Sequence, residues 1–306
     1  MNESHVKVNS LRAWVLAARP KTLAGAAVPV MIGAATAMAD SGGRMAWLPC
    51  VLCFLFAFVM QVDANFVNDY FDFKRGNDDV STRLGPQRAC AMGWVTASAM
   101  RRALLVTTAL AGVVGLPLAF IGGWPMVVVG AVCVLFCFLY TTRLSYLGLG
   151  DVLVLVFFGI VPVSLTYYLC MPEGERTVTW QVLVASVACG LVIDTLLLVN
   201  NYRDIDNDRR DGKRTLVVRV GPEWACRLYL WAGIIATILS SVFYSHGHYM
   251  VTLLVAVLYL NLHIGTYREM RRIGKGRELN RVLGLTARNM LVYGVATVVG
   301  LVFHLW

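Results

Sequence analysis

Two segments of this chain carry oxygen-bearing side chains at helical spacing. The first runs Gln61-Val62-Asp63-Ala64-Asn65-Phe66-Val67-Asn68-Asp69-Tyr70-Phe71-Asp72-Phe73-Lys74-Arg75-Gly76-Asn77-Asp78-Asp79. At about 100° per residue, Gln61, Asn65, Asn68 and Asp72 share one helix face. The second contains Asp194 and then Asn200-Asn201-Tyr202-Arg203-Asp204-Ile205-Asp206-Asn207-Asp208. On a continuous helix Asp194, Asn201, Asp204 and Asp208 fall within an arc of about 80°. Paired carboxylate and amide oxygens suit Mg2+, which prefers oxygen ligands and bridges to substrate phosphates. Lys74, Arg75, Arg83, Arg88, Arg203, Lys213 and Arg214 stand among these acids. Metal-holding acids with cations beside them make a cradle for a diphosphate.

A plainer reading is that these are the charged ends of two helices at a water boundary. That suits Asp78, Asp79, Arg209 and Arg210. It fits poorly with Gln61, Asp63, Asn65 and Asp194, which lie before the ends of their apolar runs. Polar groups at such depth are costly unless they face a cavity, a partner or an ion.

The elements that hold these segments are legible in composition. Of 306 residues, 58% are hydrophobic and only 15% charged, against about 25% charged in soluble domains. Nine apolar stretches, near 22–39, 46–67, 103–121, 124–142, 152–170, 180–200, 228–245, 248–267 and 286–305, are each long enough to cross about 30 Å of hydrocarbon. They are too long and too uniformly apolar for barrel strands. Only helices satisfy their own backbone in lipid, so the expected fold is an all-α, polytopic helical bundle in a single domain. Ala37-Met38-Ala39 mimics a signal-peptide cleavage site, but the 21 residues ahead of the first apolar stretch are long for such a signal.

Basic residues set the expected orientation. With the N-terminus inside, 25 of the 27 Lys and Arg fall on the cytoplasmic side, and only Arg44 and Arg176 on the other. The expectation is a multi-pass protein of the bacterial cytoplasmic (inner) membrane with its C-terminus, Trp306, outside. The net charge of +9 then reflects topology and attraction to anionic lipid, and gives no reason to expect a nucleic acid. Cys50 and Cys53 form a CxxC inside an apolar run with no second pair nearby, and the eight cysteines read as packing residues. So do His263 and His304, while His246 and His248 flank an external turn.

Val67-Asn68-Asp69-Tyr70-Phe71-Asp72 aligns with Val199-Asn200-Asn201-Tyr202-Arg203-Asp204 at an offset of 132 residues. The match suggests two related halves, helices 1–4 and 5–8, with helix 9 added.

At these residues the sequence resembles the intramembrane aromatic prenyltransferases of the UbiA superfamily, whose pattern is Asn-x-x-x-Asp after helix 2 and Asp-x-x-x-Asp after helix 6. Here these read Asn68…Asp72 and Asp204…Asp208. The superfamily often has a further Asp four residues after the first; this chain has Gly76 there, and Asp78 two residues on. That departure is similar to the branch acting on 1,4-dihydroxy-2-naphthoate in menaquinone synthesis. So are Arg19-Pro20-Lys21-Thr22, Arg83-Leu84-Gly85-Pro86, Gly148-Leu149-Gly150-Asp151 and Gly212-Lys213-Arg214-Thr215-Leu216.

The resemblance implies nine helices around a central cavity, with polyprenyl diphosphate and an aromatic acceptor as substrates and Mg2+ as cofactor. It implies prenylation with loss of CO2 and diphosphate, giving demethylmenaquinol. Its metal ligands here would be Asn68, Asp72, Asp204 and Asp208, with Asp78 as second choice. Lys74, Arg83, Lys213 and Arg143 are candidates for diphosphate oxygens or an acceptor carboxylate. Gln61, Asn65 and Asn201 complete the candidate substrate-binding set with Tyr140 and Tyr146, which together with Tyr70, Phe71 and Phe158 offer aromatic faces to an allylic cation. Asp69 and Asp194 are candidate bases, and with Arg143 form the candidate catalytic set. The rivals are a sibling enzyme using 4-hydroxybenzoate, haem or chlorophyll acceptors, and a secondary transporter, whose site would sit nearer the midplane. Oligomeric state is not legible in the sequence.

Overall fold

The computed structural model describes residues 6–78 and 80–303, apart from the side chain of His246; Asp79, His304 and Trp306 lie outside the described residues. Among the described residues nine helices are long and apolar enough to cross a membrane. In chain order they are α1 (Leu11–Asp40), α2 (Trp47–Arg75), α3 (Ala97–Gly122), α4 (Pro125–Leu144), α5 (Gly150–Cys170), α6 (Trp180–Arg203), α7 (Pro222–Ser245), α8 (Tyr249–Ile273) and α9 (Leu279–Val302). Each coincides with one of the nine apolar stretches.

The helices start and stop for local reasons. Thr96 and Thr179 accept the backbone N–H of Ala99 and Val182, capping α3 and α6. Pro125 and Pro222 open α4 and α7, where no N–H is needed. Gly76 ends α2 with φ 76°, a left-handed conformation that favours glycine, and the N–H of Asn77 returns to the Asp72 carbonyl at 3.1 Å. Gly76, where the superfamily often has an acid, is thus the stop that turns the chain back over the bundle.

α6 and α1 are the most buried spans, with 67% and 61% of their apolar windows covered, against 6% for α4. α1 packs on α2, α5 and α9, while α6 packs on α5, α7 and α9. α5 and α6 approach through paired glycines: a Cβ at Gly159 would lie 2.7 Å from the Gly190 Cα. Close backbone contact of this kind is how helices associate where lipid removes the hydrophobic drive.

α1 is interrupted. Arg19 takes φ 51°, and Pro20–Thr22 forms a tight turn before the helix resumes at Leu23. The break strands the Ala18 carbonyl, which accepts the Asn65 amide at 2.9 Å; the same amide reaches Thr22 Oγ1 at 2.9 Å. One turn on, Asp69 faces Arg19 at 3.9 Å. The Arg19-Pro20-Lys21-Thr22 stretch is therefore a broken helix clamped by α2.

A candidate diphosphate cleft joined to an apolar cavity

α2 and α6 end at the same face of the bundle, and between them lies a polar cleft. Asn68, Asp72, Asp78 and Arg83 line it from α2 and the following loop, and Asn201, Asp204, Asp208 and Lys213 from the end of α6 and the segment beyond. Tyr140 closes one side. These nine are the sequence-predicted site residues that the structure brings together. α6 stops at Arg203, and a short helix, Ile205–Arg210, carries Asp208. The arc drawn on one continuous helix is therefore broken at Asp204, yet both acids still reach the cleft.

A second, apolar cavity of about 340 Å3 lies deeper in the bundle. Phe56, Phe136, Phe157 and Phe158 line it, and Gln61 is among its few polar groups. Asn68, Tyr140 and Thr141 line both chambers. α4 ends there in a wide π-helical turn, Tyr140–Leu144, and the Thr141 hydroxyl donates to Asn68 Oδ1. Such turns often occur where a helix must present particular side chains to a site.

Charges alternate around the cleft. Asp72 lies 3.4 Å from Arg88 and 3.9 Å from Lys213. Asp78 pairs with Arg83 and lies 3.7 Å from Arg88. Arg88 Nε and Nη1 are buried without a hydrogen-bond partner, an arrangement that suits an incoming anion. Tyr146 is not on the cleft lining, but it accepts from Asn77, and the Lys213 ammonium lies 5.5 Å from its ring.

Burial and neighbours move the outer acids. Burial pushes Asp208 up to about 7, with Asp204, Asp211 and Asp72 adding and Lys213 opposing. Burial likewise raises Asp78, outweighing Arg88 and Arg83. Burial and Arg88 together lower Arg83.

Five candidates sit elsewhere. Asn65 clamps α1. Asp69 is fully buried, and its two oxygens accept the N–H groups of Ala89 and Cys90, each at 2.8 Å. That carboxylate folds the α2–α3 loop over the bundle and does not line the cleft. Lys74 lies about 200° round α2 from Asp72 and is exposed, its ammonium 5.7 Å from the Tyr70 ring. Arg143 lies within the π-turn and is exposed. Asp194 is buried in α6 near Asp151, with Oδ1 lacking a hydrogen-bond partner. Asp63, too deep for a helix end, is held by the hydroxyls of Thr107 and Thr108.

Thr141 and Asp151 were not among the expected site residues, and Arg88 was named only as one of the cations standing among the acids. Asp151 lines the cleft, and neither of its buried oxygens has a hydrogen-bond partner. An acid opening an otherwise apolar helix is the signal that could have pointed to it.

The loop carrying Arg83-Leu84-Gly85-Pro86 is tied to the second acidic segment and to the start of α9. Asn280 donates to the Leu84 carbonyl at 2.8 Å, and Asn207 to that of Thr82 at 3.1 Å. Gly148-Leu149-Gly150 is tied likewise, Arg219 donating to the Leu147 carbonyl at 2.7 Å.

Among the described residues no three His, Cys, Asp or Glu side chains gather closely enough to hold a metal unaided. Mg2+ ordinarily takes one or two carboxylates with substrate phosphates and water. Oxygen donors spread over two facing walls fit that mode.

The profile of the UbiA prenyltransferase family matches residues 26–302. The chain belongs to the UbiA prenyltransferase family. It is a prenyltransferase. It is 31% identical to a 1,4-dihydroxy-2-naphthoate octaprenyltransferase of Escherichia coli (strain K12), over 98% of each chain. It is 34% identical to the Mycobacterium tuberculosis protein of the same name, over 96% of this chain and 98% of that one. Its fold is similar to a UbiA homologue from Aeropyrum pernix K1, with TM-score 0.68 and 16% identity over 89% of this chain and 97% of that one. It is also similar to a UbiA homologue from Archaeoglobus fulgidus bound to GPP and Mg2+, with TM-score 0.63 and 15% identity over 94% and 99%. The nine-helix fold is thus a UbiA fold.

Proposed function

We propose that this UbiA-family protein transfers a polyprenyl group from its diphosphate to 1,4-dihydroxy-2-naphthoate, with loss of CO2 and diphosphate, giving demethylmenaquinol. The observation that carries the reading is the junction at Asn68, Tyr140 and Thr141, where a cleft of acids and cations meets an apolar cavity. A prenyl diphosphate has the same two-part chemistry. The names of the bacterial relatives support the naphthoate acceptor.

In this reading Asn68, Asp72, Asp204 and Asp208 hold Mg2+, with Asp78 beyond them. The ion would neutralise charge on the departing diphosphate. Arg83, Arg88 and Lys213 bind diphosphate oxygens, and Asn201 lines the same wall. The phenyl rings and Tyr140 keep water from the allylic cation and offer it their faces. Asp194 or its neighbour Asp151 takes the acceptor hydroxyl proton. The prenyl C1–O bond breaks, the ring carbon bearing the carboxylate bonds to C1, CO2 leaves, and the proton returns to the ring oxygen. Asp69, Asn65 and Tyr146 position the loops; exposed Lys74 and Arg143 meet the acceptor's carboxylate only in transit. The basic end of the bundle, which carries the cleft, faces the cytoplasm of a bacterial inner membrane.

The test is incubation of the purified protein with Mg2+, labelled prenyl diphosphate and each acceptor in turn. The account predicts label in a decarboxylated naphthoquinol. Label carried by 4-hydroxybenzoate and not by naphthoate would assign a sibling reaction.

A further inference from the structure

A second cleft opens at the same end of the bundle, between the end of α6, the start of α7 and the end of α8. Its basic lining residues are Arg203, Arg209, Arg227, Arg271 and Lys275, against the acids Asp206 and Glu223. Arg203 is paired with Asp204 at 2.6 Å, and Arg209 with Asp206 at 3.5 Å. Arg227 lies over the Trp224 ring at 4.8 Å and Arg271 over the Tyr267 ring at 6.0 Å. Among the described residues no ion pair involves Arg227, Arg271 or Lys275. Arg227 on α7, Arg271 on α8 and Lys275 just beyond α8 therefore converge on one concavity, where Glu223 is the one lining acid outside the ion pairs of the described residues.

The cleft sits at a lipid boundary. α7 begins at Pro222, beside it. From there Trp224, Trp231, Ile235 and Ile238 follow at spacings of 7, 4 and 3, all exposed. That spacing makes one stripe along α7, with a tryptophan at its foot as is common at membrane interfaces. A ligand that used both features would have an anionic head and apolar tails. A free phosphate would use only the cations.

The cleft also shares a wall with the catalytic one. Leu84 lines both. Arg203, on the basic side, donates to Asn200 Oδ1 at 2.8 Å and to Asp204 at 2.6 and 3.0 Å, and both acceptors line the acidic cleft. An anion seated among Arg227, Arg271 and Lys275 would hold the loop and Arg203 against that wall.

We propose that this cleft binds the phosphate headgroup of an anionic glycerophospholipid, its acyl chains lying along the α7 stripe, and that occupancy raises the rate of prenyl transfer. The binding claim is read independently of the reaction, by counting lipid on the protein. The full chain is placed in nanodiscs of phosphatidylcholine with increasing phosphatidylglycerol, and retained lipid is counted by native mass spectrometry after delipidation. Wild type retains phosphatidylglycerol and works several-fold faster with it. The R227Q/R271Q/K275Q triple variant, whose residues lie outside the catalytic cleft, matches wild type in pure phosphatidylcholine. It loses the gain and retains the lipid at least about tenfold less well. An R101Q/R102Q variant, neutralised on α3 away from the cleft, responds as wild type does. Equal retention by the triple variant and wild type, or loss of response in R101Q/R102Q alike, overturns the site. Millimolar inorganic phosphate or glycerol phosphate reproducing the gain in phosphatidylcholine discs overturns the lipid assignment.

Discussion

Gly85 lies against the guanidinium of Arg203, so that a Cβ there would sit 2.5 Å from Nη2. Arg203 is 4% exposed and bonded to Asn200, Asp204 and Asn280. It cannot swing aside without breaking those bonds. Gly85→Ala should therefore misplace Asp204 and cut activity by tenfold or more, at a stability cost of about 1–3 kcal/mol. Prenyl transfer and thermal unfolding measure the two effects. Full activity with an unchanged Tm would show that the contact does not matter.

Asp69 and Asp72 are three residues apart but have different parts. Removing Asp69 leaves two backbone N–H groups without their acceptor, and Arg19 without its counter-charge, in a dry interior. Asp69→Ala should cost about 2–4 kcal/mol of stability. Asp72→Asn should leave Tm nearly unchanged and lower the rate by roughly 100-fold or more. Circular dichroism melts beside rate measurements separate them, and a reversed pattern contradicts the assignment.

Asp208 makes metal use pH-dependent. Its carboxyl is raised to about 7, so at pH 6 most of it holds a proton that must leave before it can serve as an anionic ligand. The Mg2+ concentration for half-maximal rate should rise about fivefold from pH 7 to pH 6 and level off above pH 8. Stability without metal runs the other way. Between the ordinary carboxylate value of about 4 and about 7, the unfolded chain is ionised and the folded one protonated. Folding then takes up a proton, and stability falls as pH rises through that window. Asp208→Asn should flatten both profiles.

Gly130 lines the apolar cavity, and a Cβ there would meet nothing within 4 Å. Gly130→Phe should fill space that the prenyl tail uses. Competition between short and long prenyl diphosphates should shift toward the shorter chain, with little change in Mg2+ dependence. No shift in product lengths would place the tail elsewhere.

The nine spans were legible because hydrocarbon thickness fixes a minimum apolar length. Their ends were not, because helices run on past the lipid. The second apolar stretch ends near residue 67, but α2 continues to Arg75; the third begins near 103, but α3 starts at Ala97. Asn68, Asp72, Asp204 and Asp208 were found from spacing and resemblance together. Spacing misled at Asn65, which lies on the side of the arc toward α1 and heals the break at Arg19; periodicity defines a face, not the neighbour on it. Asp151 sat within a recognised glycine-rich stretch, yet only folding brings α5 against α6 and leaves its oxygens beside Asp194. Arg88 was visible as a charge, but its two unpartnered donors are a property of the folded loop.

The central claim is that acids from both walls, Asp72 on α2 and Asp204 beyond α6, grip one diphosphate together with Mg2+. It is tested most directly by equilibrium binding of a non-hydrolysable prenyl thiodiphosphate to wild type, Asp72→Ala and Asp204→Ala, each in Mg2+ and in chelator. The account predicts tight binding only for wild type with Mg2+, and comparable losses from either substitution or from chelation. Undiminished affinity in chelator, or in either variant, would contradict it.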